Sequence, residues 1–177
     1  MPKPRDRSQG RRDGKTAPKP EFSRPANVSR IGRLEHRVSI SANDAERAAL
    51  ARRFDLIELA ELAADLVVKK RGDGAGGLVV EVTGRWRARL AQPSVVSLEP
   101  VWSTIEDEAR VYFAGAPGKA SARADLDPLD EEGWPEPIEG GEIDLGEAVA
   151  QLMAVALDPY PRLPEEGGES SPAEGER

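Results

Sequence analysis

Between Val80 and Leu90 the chain changes character at every residue. Val80, Val82, Gly84, Trp86, Ala88 and Leu90 fall on one side of the alternation, and Glu81, Thr83, Arg85, Arg87 and Arg89 on the other. Successive side chains of a β-strand point to opposite faces, so a period of two predicts a strand with one buried and one wet face. Such a strand needs paired neighbours and an apolar layer over one side, which limits the chain to a layered fold containing a sheet. The glycine within the run predicts a bulge or a bend.

The same period recurs elsewhere. Leu34, His36, Val38 and Ile40 alternate with Glu35, Arg37 and Ser39, and Leu62, Ala64, Leu66 and Val68 form another such register ending in Lys69, Lys70 and Arg71. Val101, Ser103, Ile105, Asp107, Ala109, Val111 and Phe113 alternate with Trp102, Thr104, Glu106, Glu108, Arg110 and Tyr112, and Val95, Val96 and Leu98 read as an extended lead-in. The glycine run from Gly72 to Gly77 reads as a hairpin tip. It lacks the Gly-Lys-Ser/Thr ending of a phosphate loop and no helix follows it. In an antiparallel hairpin Lys69 to Arg71 approach the start of the next strand rather than its arginines, and Glu106 and Glu108 are available to pair across the sheet with Arg85 to Arg89.

Helix signals separate these strands. Asn43 with Glu46 matches a capping box, Asp55 with Glu58 predicts a second short helical turn, and Asp144 with Glu147 begins a helix whose apolar stripe is Leu145, Val149, Leu152, Met153 and Ala156. Pro159 and Pro161 stop it. The expected fold class is α+β, an antiparallel β-sheet with two or three short helices packed on it. The expected division is a disordered basic arm over 1–27, a folded unit over 28–163 and a disordered acidic tail over 164–177, because both ends are poor in large apolar side chains. Residues 114–136 read as a long Gly-, Pro- and acid-rich loop anchored by Leu126, Leu129 and Trp134.

Composition removes several kinds of chemistry. Cysteine is absent, so thiolate nucleophiles, disulfides and thiolate zinc sites are excluded. His36 is the single histidine. It falls on the apolar side of its strand and reads as a core or rim side chain rather than a catalytic one. The carboxylates Asp125, Asp127, Asp130, Glu131 and Glu132 are the alternative for a metal-dependent hydrolase, but their setting suits a solvated loop better. No metal or other cofactor is expected. No apolar run approaches the ~20 residues that span a bilayer, and the basic start has no apolar stretch behind it, so the expected compartment is the cytoplasm.

The net charge of −7 is unevenly spread. Lys3, Arg5, Arg7, Arg11, Arg12, Lys15, Lys19 and Arg24 make the start basic, whereas Asp125 to Glu147 and Glu165 to Glu176 are acidic. A basic arm on an acidic body fits a polyanionic or acidic partner. The candidate binding residues are therefore Arg85, Arg87 and Arg89 on one strand face, Lys69, Lys70 and Arg71 at the hairpin, and Arg11 and Arg12 in the arm.

Two segments carry a family likeness. Gln92-Pro-Ser94-Val-Val-Ser97-Leu-Glu99-Pro100-Val101, together with Ile143-Asp144-Leu145-Gly146-Glu147 and the later Asp158-Pro159-Tyr160-Pro161-Arg162, resembles the YceD family, the large ribosomal RNA subunit accumulation proteins, in its alphaproteobacterial form. The likeness covers roughly Arg33 to Pro164. It implies a non-enzymatic cytoplasmic role in accumulating large-subunit ribosomal RNA and assembling the large subunit. The implied partners are precursor RNA, a basic ribosomal protein, or both, with the Asp144 to Glu147 and Asp158 to Arg162 motifs structural. Many relatives carry cysteine where this chain has Ser94 and Ser97, so no thiol, redox or zinc chemistry carries over to that place. A protein-interaction module unrelated to RNA is the alternative in a different class.

Overall fold

The computed structural model describes residues 20–32, 34–71, 78–115 and 135–166. The strands are β1 (Pro25–Asn27), β2 (His36–Ser41), β3 (Glu58–Arg71), β4 (Val79–Pro93), β5 (Pro100–Gly115), β6 (Glu136–Ile138) and β7 (Glu142–Asp144), and the helices are α1 (Asp44–Arg53) and α2 (Leu145–Ala156). A five-stranded sheet runs β2-β3-β4-β5-β6, and β1 pairs with β7 in a separate ribbon. All pairings are antiparallel except β5 with β6. The fold class is thus α+β as the alternation predicts. No helix among the described residues is long and apolar enough to cross a membrane.

The alternating registers become the layers of the molecule. Leu62, Ala64, Leu66 and Val68 of β3 and Val80, Val82, Trp86, Ala88 and Leu90 of β4 are buried in one core with Leu50 of α1 and Leu145, Val149 and Met153 of α2. Arg85, Arg87 and Arg89 are exposed on the opposite face. Both helices therefore cover one side of the sheet. Gly84 lies in an unbroken register opposite Leu66, so the expected bulge is not there; the register shift falls between Leu59 and Glu61. A Cβ on Gly84 would lie 2.1 Å from the Asp65 carbonyl oxygen. The glycine is required by this close approach of β3 to β4.

Helix α1 has the expected capping box: the Asn43 side chain accepts from the Glu46 N–H at 3.0 Å, and the Glu46 carboxylate accepts from the Asn43 N–H at 2.8 Å. The second helical turn predicted at Asp55 is absent. Asp55 instead takes a left-handed conformation at φ 53°, and the Leu56 N–H bonds back to the Ala51 carbonyl at 2.9 Å. That is the Schellman closure of α1, in which a short polar side chain tolerates positive φ. Val95 to Leu98 are likewise not extended. They form a tight turn, closed by the Leu98 N–H on the Ser94 carbonyl at 3.0 Å, with Leu98 at φ 64°. His36 sits at the start of edge strand β2 and is exposed, as is Leu34 before it, because the covering layer reaches only as far as Val38 and Ile40.

The folded unit begins earlier and ends later than composition suggests. Phe22 is fully buried, Arg24 pairs with Glu46 at 2.7 Å, and Pro25–Asn27 are β1. One large aromatic side chain with a strand pairing is enough to order a segment whose average composition is that of an arm. At the other end the Glu166 carboxylate holds the Ser94 hydroxyl and the Leu163 N–H. Residues 1–19 and 167–177 lie outside the described residues. Deletion through Lys19 keeps every contact above, whereas deletion through Asn27 removes Phe22 and β1. The first truncation should melt within a few degrees of the full chain and the second on the order of 10 °C or more lower, since a buried Phe is worth about 3–5 kcal/mol. Equal melting of the two truncations by circular dichroism would contradict this docking.

Candidate functional site

The antiparallel registers fix what surrounds each candidate arginine. On the uncovered face Asp65, Arg85 and Glu108 form one row across β3, β4 and β5; Ala63, Arg87 and Glu106 form the next; Glu61, Arg89 and Thr104 follow. Residues adjacent in a row stand roughly 5 Å apart, within reach of each other's charge. This face is concave. Its central furrow encloses about 700 Å³ between Ser39, Asp65, Arg85, Arg87, Glu106 and Glu108. Ser39 extends the polar floor by donating to Asp65 at 2.6 Å.

Each arginine has a different partner. Arg87 reaches diagonally to Glu61 at 2.6 Å rather than to Glu106. Both side chains of that pair are about half exposed, so solvent screening leaves the bridge worth little and easily exchanged. Arg89 lies over the ring of Trp102 at 5.4 Å, and that tryptophan is 48% exposed. Arg85 stands between two acidic positions in its row. The stripe read from β4 alone is thus part of a mosaic in which carboxylates of β3 and β5 interleave with guanidinium groups. Arg37 and Arg110 line the adjoining stretch of the furrow, beside Thr83 and Val67. These two, and Trp102, were not singled out from the sequence; the strand registers that place them on the same face as the β4 arginines were the missing information.

The remaining candidates do not converge on the furrow. Lys69 and Arg71 share the uncovered face but lie at its hairpin end. Lys69 pairs with Glu35 at 3.4 Å, and Arg71 donates through Nε to Glu81 at 2.7 Å. Lys70 has the opposite parity and stands beside Val80. Arg11 and Arg12 are outside the described residues, as are Asp125, Asp127, Asp130, Glu131 and Glu132.

The motif residues fall into two structural units. In the first, Asp144 Oδ1 accepts the Gly146 and Glu147 N–H groups at 3.0 and 3.2 Å, capping α2, and also accepts the Arg24 N–H at 2.7 Å, while Oδ2 accepts from Ser23 at 2.6 Å. Gly146 is needed because a Cβ there would sit 2.4 Å from the Phe22 carbonyl oxygen. Leu145 is in the core. Glu147 does not complete a capping box. Its carboxylate takes both Arg53 guanidinium nitrogens at 2.7 and 2.8 Å, and Arg53 also reaches Glu21 at 2.9 Å. The hydrogen bonds from Arg53 hold the Glu147 carboxyl below the usual carboxylate range against the opposing effect of burial. Arg24 does the same for Glu46.

The second unit unites the two family-like segments. The Gln92 amide donates to the Asp158 carbonyl at 2.9 Å, the Val95 N–H to the Pro161 carbonyl at 2.9 Å, and Asp158 Oδ1 accepts the Tyr160 N–H at 2.9 Å. Ser94 is fully buried, and its hydroxyl accepts from the Val96 and Ser97 N–H groups while donating to Glu166. Hydrogen bonds from Ser94 and Ser97 lower the Glu166 pKa. Ser94 is therefore a turn organiser, and Asp158 and Pro161 are structural. Tyr160, Pro159 and Arg162 are exposed, so their side chains are not holding this turn. With Val95, Val96 and Leu98, also exposed, Tyr160 makes the turn's outer surface apolar.

Comparison of the chain with protein-family models, with curated proteins and with solved structures returned no match.

Loss of the Asp144 carboxylate removes a cap worth about 1 kcal/mol together with charge-assisted bonds worth about 1.5–3 kcal/mol. Asp144→Ala should therefore lose about 2–4 kcal/mol in urea denaturation and become cleavable at Arg30 by trypsin; a loss below about 1 kcal/mol would mean that the segment docks through Phe22 alone. The depressed Glu147 and Glu46 carboxyls set an acid limit. A folded pKa below the unfolded value of about 4.3 gives stability that is full above that value and is lost as pH falls through the folded pKa. Glu136, raised first by burial and then by the charge of Glu147, opposes them because protonation relieves its cost. The urea midpoint should fall between about pH 4.5 and 3, and Arg53→Met should flatten that fall while lowering the midpoint at pH 7. A steeper acid fall in Arg53→Met would refute the assignment to Glu147.

Proposed function

We propose that this chain is a non-enzymatic, cytoplasmic accessory of large ribosomal subunit assembly that binds precursor large-subunit RNA through the concave open face of its sheet. The carrying observation is the set of guanidinium groups on that face with an exposed aromatic beside them: Arg85, Arg87 and Arg89 on β4, with Arg89 over the half-exposed ring of Trp102. Guanidinium groups fork onto phosphate and stack on bases, and an exposed ring on a sheet gives an unpaired base a surface to stack on. The joining of the two family-like segments into one turn supports reading them as a single structural unit of a YceD-like protein rather than as separate chance matches.

The interleaved carboxylates define how such binding works. Arg87 must exchange Glu61 for phosphate, and Arg85 must work between Asp65 and Glu108. Each exchange returns part of its Coulomb gain, so the net number of counterions released is smaller than the number of arginines used. The expected interaction is modest in affinity, reads shape and unpaired bases, and is not the tight salt-dominated binding of a basic domain.

Glutamine is the appropriate probe, because glutamate at these positions would crowd Asp65, Glu61, Glu106 and Glu108. Arg85→Gln, Arg87→Gln and Arg89→Gln together should reduce co-sedimentation with large-subunit precursors about tenfold or more at low salt, while the melting temperature shifts by no more than a few degrees. Undiminished co-sedimentation of a folded triple variant would remove this face from the interaction.

A further inference from the structure

On the covered side of the sheet, α2 does not close fully against β5. The gap is a groove of about 420 Å³ whose lining includes Trp86, Val111, Leu152 and Val155 together with the side chains of Asp107 and Glu136. Val155 is 87% exposed at the groove edge although it belongs to an otherwise core-forming helix. Trp86 is 3% exposed, and its indole N–H is buried with no acceptor among the described residues. A buried donor without an acceptor costs about 1–3 kcal/mol, which a bound carbonyl would recover once α2 and β5 part enough to admit it. Among the described residues that line the groove, the charged side chains with the covered-face parity or from β6 are Asp107 and Glu136, both acidic, and no lysine or arginine is among them. Burial raises the Glu136 carboxyl, as expected for an acid that lacks a cation.

We infer that this groove docks an extended, lysine- and arginine-rich peptide segment carrying aliphatic side chains, supplied by a basic protein partner. The aliphatic side chains would lie on Val111, Leu152 and Val155, a backbone carbonyl would accept from Trp86, and ammonium or guanidinium groups would meet Asp107 and Glu136. Other occupants fit less well by charge and composition. Residues 116–134 offer Leu126, Leu129 and Trp134 but bring five carboxylates, Asp125, Asp127, Asp130, Glu131 and Glu132, against only Lys119 and Arg123, a net negative charge at an acidic rim. Residues 1–19 are basic but contain Met1 as their only large aliphatic side chain. A second copy pairing groove to groove would face carboxylates with carboxylates. The inference rests on the reading of this chain as a binding protein of ribosome assembly for the kind of partner, and it is independent of the arginine face.

The test uses the nitrogen-labelled full chain and a short blocked peptide alternating lysine with isoleucine. The Trp86 indole N–H resonance should move downfield and saturate as peptide is added. Val155→Ser should weaken binding about fivefold through lost apolar area, and Asp107→Asn with Glu136→Gln about three- to tenfold through lost charge, neither with a lowered melting temperature. The Arg85, Arg87 and Arg89 glutamine variant should bind the peptide normally, so failure of RNA binding and failure of this docking are read separately. An unmoved Trp86 resonance overturns the proposal. Equal affinity for a lysine-only peptide of the same length overturns it too, since the apolar floor would then contribute nothing. Binding that appears only after removal of residues 1–19, or only after Leu126→Ser, Leu129→Ser and Trp134→Ser, would assign the groove to the chain itself and equally overturn it.

Discussion

The Asp144 carboxylate is the point at which separate parts of this chain become one body. A helix N-terminus leaves N–H groups without intrahelical partners, and a carboxylate placed there satisfies them while meeting the positive end of the helix dipole. Asp144 does this for α2 and uses its remaining lone pairs for the backbone of Arg24 and the hydroxyl of Ser23. The N-terminal segment is thereby laid across the start of α2, close enough that only glycine fits at 146. Once laid there, Phe22 fills the core, Arg24 reaches Glu46 of the α1 capping box, and Glu21 and Glu147 share Arg53. Hydrogen bonds of this one side chain tie the N-terminal segment to α2, and Arg24 with Glu46 and Arg53 with Glu147 carry the link to α1, in a layer that leaves the other sheet face open.

The residues show why part of this was legible in sequence and part was not. Period two needs only neighbours along the chain, so the strands β3, β4 and β5 and their buried faces could be read directly. The Asn43 cap is equally local. Asp55 illustrates the limit: Asp followed by Glu three residues later has the composition of a helix start, but the preceding helix needed a left-handed terminator, and the same aspartate serves it. Phe22 illustrates another. Averaged with its Pro-, Lys- and Arg-rich neighbours it looks like part of an arm, yet burial is a property of one side chain and of the surface it meets. Glu147 has the right spacing to cap and is drawn away by Arg53, a long-range partner that no window around residue 147 contains.

The candidate site was legible in the same uneven way. Arg85, Arg87 and Arg89 do share a face, as their parity requires. Sequence parity does not say which strands lie on either side, and here both neighbours place carboxylates in the arginine rows. The expected opposition of Glu106 and Glu108 to these arginines is what the β5 register shows, and β3 adds Asp65 and Glu61, so the stripe is a mosaic of both signs. Lys69, Lys70 and Arg71 were contiguous in sequence and are split by the pleat between two faces.

The two faces of the sheet divide the chemistry. On the open face, arginines already balanced by carboxylates can release them to a polyanion at small net cost, and the exposed Trp102 ring adds a stacking surface without charge. In the groove on the covered face no lysine or arginine stands among the described lining residues: Asp107 and Glu136 lie beside aliphatic side chains and an unanswered indole N–H. A nascent ribosomal particle offers both complements, phosphate from its RNA and basic, partly apolar extensions from its proteins. On the function proposed above, a scaffold that separates these two kinds of surface by the thickness of one sheet would hold an RNA strand and a basic peptide at once, because neither ligand competes for the groups that bind the other.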